Sequence, residues 1–112
     1  MSAQKPRIAG TFRIVHMDAW DEDCLDLEGP PFIRFERGGE GELRFCAVEA
    51  GLDFRNTKRD GAPAVEFSFQ GSEEGEDVFG RGWAVLESPG HIKGMLFFHL
   101  GDESGFAAER VR

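Results

Sequence analysis

Between residues 31 and 70 apolar side chains fall at every second position, and a repeat of two fits only one regular backbone, the β-strand. Ile33 and Phe35 alternate with Phe32, Arg34 and Glu36, and Leu43, Phe45 and Ala47 oppose Glu42, Arg44 and Cys46. Leu52 and Phe54 oppose Asp53 and Arg55, and Val65, Phe67 and Phe69 oppose Glu66, Ser68 and Gln70. The same rhythm opens the chain, with Ile8, Gly10, Phe12 and Ile14 in one phase. It continues to the end: Gly80, Gly82, Ala84 and Leu86 share a face, then Ile92, Gly94, Leu96, Phe98 and Leu100, then Phe106, Ala108 and Arg110. One buried face and one wet face is the pattern of antiparallel sheets.

Turn signals separate these runs. Gly38-Gly39, Ala50-Gly51, Asp60-Gly61, Gly71 to Gly75, Ser88-Pro89-Gly90 and Gly101-Asp102 recur at intervals of roughly a dozen residues, the spacing of hairpins. Asp60-Gly61 suits a type I′ turn, which needs positive φ at both central residues. The divisions predict eight strands, at 8–16, 31–37, 41–49, 52–58, 63–70, 78–87, 91–100 and 104–111. Eight strands joined by short links predict an all-β fold, an eight-stranded antiparallel up-and-down barrel, with a two-sheet β-sandwich as the alternative. Residues 8–112 form a single domain in this reading, and residues 1–7 a flexible N-terminus.

Residues 17–30 break the alternation. Asp18 is placed to cap a short helix near residues 18–27, with Asp21 and Glu22 at its positive end. Trp20, Cys24 and Leu27 would share one helical face, laid across the mouth of the barrel, and Pro30-Pro31 would end it.

Composition narrows the partners. Twenty-one acidic against thirteen basic residues give a net charge of −8, which disfavours nucleic acid and anionic membrane. The polar stretch Met1 to Arg7 is not followed by an apolar run, so a cytoplasmic location is expected. Cys24 and Cys46 lie outside any C-x-x-C spacing and fit two thiols in a reducing compartment, with a single bridge between them left open.

Two resemblances emerge from the motifs. Ala9-Gly10-Thr11-Phe12 on the first strand, with Arg110 on the last, is similar to the calycins, the lipocalin and avidin group. There a Gly-x-Trp of strand one meets an arginine of the final strand; here Phe12 stands in the place of the tryptophan. The likeness implies a barrel with one end closed by that contact. Gly10 to Val15, Gly80-Arg81-Gly82-Trp83-Ala84-Val85-Leu86, Phe97-Phe98-His99 with Gly101-Asp102, and Phe106 with Ala108-Glu109-Arg110 also resemble a family of short bacterial proteins of unassigned function, over nearly the whole chain. That likeness implies no activity.

The chemistry-bearing residues point to binding rather than catalysis. His16, His91 and His99 lie at no spacing that forces a zinc site, and the acidic runs 18–28 and 73–77 lack the register and glycine of a calcium loop. Ser68, Ser104 and Cys46 sit in no nucleophile context, and Gly80-Arg81-Gly82-Trp83 leads into a strand and not the helix that a phosphate loop opens. No cofactor or metal is expected. Phe12, Phe45, Phe67 and Phe98 line the expected lumen, where a small apolar or aromatic ligand would sit, with Arg110 at its end as a closing contact over Phe12 or an anion anchor. Arg34, Asp53, Arg55 and Glu66 are expected to pair across strands on the wet face; a slip of one residue would turn them into the lumen. Trp83, Val85, Met95 and Phe97 face outward, an apolar patch that predicts a homodimer unless the 17–30 segment covers it. The alternative function is an acidic interaction module without a ligand cavity, and an enzyme using inward polar groups such as Glu66 or His99 stands behind both.

Overall fold

Each strand pairs antiparallel with the next in sequence, and the last returns to the first. The computed structural model describes residues 8–111; the flexible N-terminus expected over residues 1–7 lies outside the described residues. The strands are β1 (Gly10–Met17), β2 (Phe32–Phe35), β3 (Glu40–Phe45), β4 (Val48–Arg59), β5 (Ala62–Glu73), β6 (Glu76–Ser88), β7 (His91–Phe98) and β8 (Glu103–Arg110). They close as one barrel in the order β1 to β8, the up-and-down topology expected, and this closure replaces the sandwich alternative.

The inward phases read from the alternation are found inside over most of their length; Ala47 at the β3–β4 turn, Leu100 beyond β7 and Arg110 at the end of β8 depart from them, the last two being exposed. Ile33, Phe35, Leu43, Phe45, Val65 and Phe67 are all at most 5 % exposed, so the burial of phenylalanine and aliphatic side chains is what holds the ring together. Asp60 and Gly61 have φ of 51° and 81°, the paired positive values a type I′ turn requires. Glycines on β6 make room for the rings opposite. A Cβ at Gly82 would lie 2.7 Å from the Phe67 ring and 2.4 Å from the Met95 carbonyl oxygen.

Three expectations are corrected. The hairpin between β3 and β4 turns at Cys46-Ala47 rather than at Ala50-Gly51, which lie inside β4 with Ala50 opposite Leu43. A two-residue turn from Phe45 to Val48 moves the inward phase from odd to even positions, so that Val48, Ala50 and Leu52 continue the core. The helix α1 is one turn, Glu22–Leu25, and its buried residue is Leu25; Leu27 is 62 % exposed. Finally, Cys24 and Cys46 are joined in a disulfide, with Cα atoms 5.0 Å apart, instead of standing as free thiols. The bridge and a hydrogen bond from the Cys46 N–H to the Leu25 carbonyl fasten α1 to the β3–β4 turn. Trp20, just before α1, packs over that barrel end, its ring 4.8 Å from Phe45 and 5.8 Å from Phe98.

At the other end Arg110 lies over Phe12, with the guanidinium carbon 4.7 Å from the ring centroid and Nη1 donating to the Ala9 carbonyl. Phe12 and Arg110 are direct cross-strand partners, which closes β1 against β8. Truncating Arg110→Ala removes a cation–π contact and a hydrogen bond, together about 1–2 kcal/mol. Urea unfolding of the variant is the check; an unchanged midpoint means that this contact does not help close the barrel.

The strands β4, β5 and β6 are the long ones, at 12, 12 and 13 residues. Pairing of β4 with β3 stops at Asp53, while pairing with β5 continues to Arg59, so the β4–β5 hairpin runs past the start of β3. Arg55, Lys58 and Arg59 populate this overhanging strand, and charge of this kind discourages indiscriminate strand addition. The overhang contributes to an elongated outline of 47 × 23 × 22 Å.

Candidate functional site

The four lumen candidates form part of the protein's own core. Phe12 and Phe45 are 0 % exposed, Phe67 is 5 % exposed, and Phe98 packs against them from a half-buried position. Their rings interlock with other rings. Phe35 lies 6.4 Å from Phe12, 5.1 Å from Phe54 and 6.0 Å from Phe67, while Phe98 lies 6.3 Å from Phe45 and 5.0 Å from Phe69. Edge-on contacts at these distances fill space as a packed core does. Arg110, the fifth candidate, is exposed and serves the closing contact already described.

A groove of about 770 Å³ runs over the outward positions of β4 to β7 and also touches Phe54, Phe67 and Gly82 of the inward phase. Successive cross-strand pairs build it. Arg55 stands opposite Glu66, Glu66 opposite Trp83, and Trp83 opposite Met95. In the neighbouring row Asp53 faces Ser68, Ser68 faces Arg81, and Arg81 faces Phe97. Asp53, Arg55 and Glu66 are thus on the wet face, as the alternation requires, and Arg34 is on the wet face of β2, where it binds Glu36 and Glu42.

The outward patch expected at Trp83, Val85, Met95 and Phe97 is present, and each of the four is half-buried. Arginines cover two of its rings. The Arg59 guanidinium carbon is 3.6 Å from the Trp83 ring centroid, and that of Arg81 is 5.5 Å from the Phe97 ring. A second groove shares Arg81 and Phe97 and continues to Phe79 and Leu100, which are 50 % and 95 % exposed. Phe79 stacks on His99 at 4.7 Å. The exterior of β6 and β7 therefore carries an apolar band longer than the four residues first singled out.

The remaining candidates have separate settings. His16 contacts Asp18 at 2.9 Å, His91 contacts Ser88 and the Pro89 carbonyl, and His99 lies on Phe79. Ser104 is buried and its hydroxyl is engaged by the Ala19 N–H and the Gly105 carbonyl.

Arg59 and Arg81 are the groove residues that sequence reasoning missed. Register was the available signal. A two-residue turn at Asp60-Gly61 sets Arg55 opposite Glu66, in the row leading to Trp83, and Arg59 opposite Ala62 in the same outward phase of β4, while Arg81 falls between Ser68 and Phe97 in the neighbouring row. Comparison with known protein families, curated proteins and solved structures finds no match for this chain.

Proposed function

We propose that this barrel is a binding module whose working surface is its outer face over β4–β7. The observation that carries the reading is the contrast between the two faces of one sheet. Inside, the rings of Phe35, Phe45 and Phe67 occupy the space a ligand would need. Outside, Trp83 and Phe97 floor an open groove of about 770 Å³ under arginine side chains. A tryptophan and arginines gathered in a concavity are the residue types that dominate binding energy at protein interfaces. The Phe12–Arg110 contact supports the calycin-like reading of the scaffold, and the present reading moves binding from the lumen to the outside of that scaffold. A polypeptide suits the groove better than a compact molecule, because the concavity is open along its length and continues toward Phe79 and Leu100.

Selection from a random peptide display library, followed by amide chemical-shift mapping of the selected peptides, tests this reading. The shifts are expected to cluster on β4–β7, and Trp83→Ala is expected to weaken binding at least about tenfold, the effect of losing an interface hot spot. A footprint elsewhere on the surface, or on lumen residues such as Phe45, overturns it. Light scattering of the protein alone, at high concentration, reports whether a second copy takes the same face, as the homodimer expectation would have it; a dimer abolished by Trp83→Ala identifies the chain itself as the occupant.

A further inference from the structure

The geometry points to a carboxylate-bearing, extended polypeptide segment as the partner of the β4–β7 groove, held by Arg59 and Arg81 on their aromatic supports. This rests on the outer-face reading above and adds the chemistry of the ligand. Two of the described arginines hold carboxylates: Arg34 binds Glu36 and Glu42, and Arg44 reaches Glu49 at 3.8 Å. In the groove, among the described residues, neither Arg59 nor Arg81 has a carboxylate oxygen within 4.0 Å, although Asp53 and Glu66 line the same concavity.

Their guanidinium carbons lie over rings instead, that of Arg59 at 3.6 Å from the Trp83 centroid and that of Arg81 at 5.5 Å from the Phe97 centroid. A guanidinium over a ring interacts through its face and keeps its N–H edge free. Two such edges, held by stacking before any ligand arrives, are donor forks of the shape that a carboxylate accepts in bidentate fashion. Preorganisation of this sort lowers the ordering cost of binding.

Carboxylate and phosphate share this chemistry, and the rest of the groove decides between them. Asp53 and Glu66 are acceptors and need donors from the partner. A polypeptide brings backbone N–H groups as well as carboxylates, whereas a nucleic acid brings a continuous row of phosphates that these two residues and a net charge of −8 repel. Trp83 and Phe97, the rings under the arginines, give apolar purchase to side chains of an extended segment.

The test is titration of the full chain with three probes: a ten-residue peptide alternating Glu and Phe, the same peptide with Gln for every Glu, and a single-stranded oligothymidylate. The acidic peptide is expected to shift the Trp83 indole and the Arg59 and Arg81 side-chain resonances. It should bind at least about tenfold tighter than the Gln peptide, as loss of charge-assisted hydrogen bonds implies. The double variant Arg59→Gln/Arg81→Gln, with an unchanged urea midpoint, should lose that preference. The oligothymidylate should not compete. Groove binding of the Gln peptide with equal affinity overturns the carboxylate inference and leaves the outer-face reading standing. Shifts outside β4–β7 for both peptides overturn the outer-face reading itself. Tighter binding by the oligothymidylate makes the groove a nucleic-acid surface and overturns the inference.

Discussion

Replacing Phe35 by alanine is expected to destabilise the barrel by about 3–5 kcal/mol, and to convert its filled interior into a site for a benzene-sized molecule. Phe35 is 1 % exposed and lies at the centre of an aromatic cluster, its ring within 6.4 Å of those of Phe12, Phe54 and Phe67. The loss has two parts, the transfer of the ring from core to water and the cavity left where the neighbours collapse only in part. These neighbours have little freedom to close in. Phe67 is confined by the bare backbone of Gly82, whose missing side chain is the space its ring uses. Urea unfolding measures the first effect, and Phe35→Leu should cost much less because most of the volume is kept. The second is read from melting temperature: benzene should raise that of the alanine variant and leave that of the parent protein unchanged. An increase in the parent would show that the lumen already has room for a ligand and would return binding to the inside.

The double variant Cys24→Ala/Cys46→Ala should lose about 3 kcal/mol. The bridge spans 22 residues, and cross-linking a loop of that length removes roughly that much conformational freedom from the unfolded chain. What the loop contains makes the effect global. Between the two cysteines lie the end of α1 and all of β2 and β3, two short strands of four and six residues. Buried Leu25 and the Leu25–Cys46 backbone hydrogen bond remain in the variant, so the fold is expected to survive with a melting temperature lower by roughly 10–20 °C. The parent protein unfolded in a thiol reductant should match the variant. If the variant and the oxidised parent share one midpoint, the bridge contributes nothing to stability.

The features legible in the chain are those a strand carries by itself. The alternation around Phe35, Phe45, Phe67 and Phe98 told which side chains meet inside, and the Asp60-Gly61 pair told where one hairpin turns, because both are written in consecutive residues. The β3–β4 turn was misplaced because Cys46-Ala47 contains none of the usual turn residues, while Ala50-Gly51 does. Cys46 takes a φ of 50° in a position where it is bonded to Cys24 and hydrogen-bonded to Leu25, partners some twenty residues away. The one local trace was the change of phase from Leu43 and Phe45 to Val48, Ala50 and Leu52.

Local pattern therefore reaches as far as the face each side chain occupies, because the repeat of two is a property of a single extended backbone. Which neighbours that face meets is a matter of register between strands, closed around the ring by β1 and β8. Arg59 over Trp83 and Arg81 over Phe97 belong to this second kind, as do the disulfide and the filled lumen. Each depends on residues far apart in the chain being brought together when eight strands align, and no single run of residues encodes that alignment.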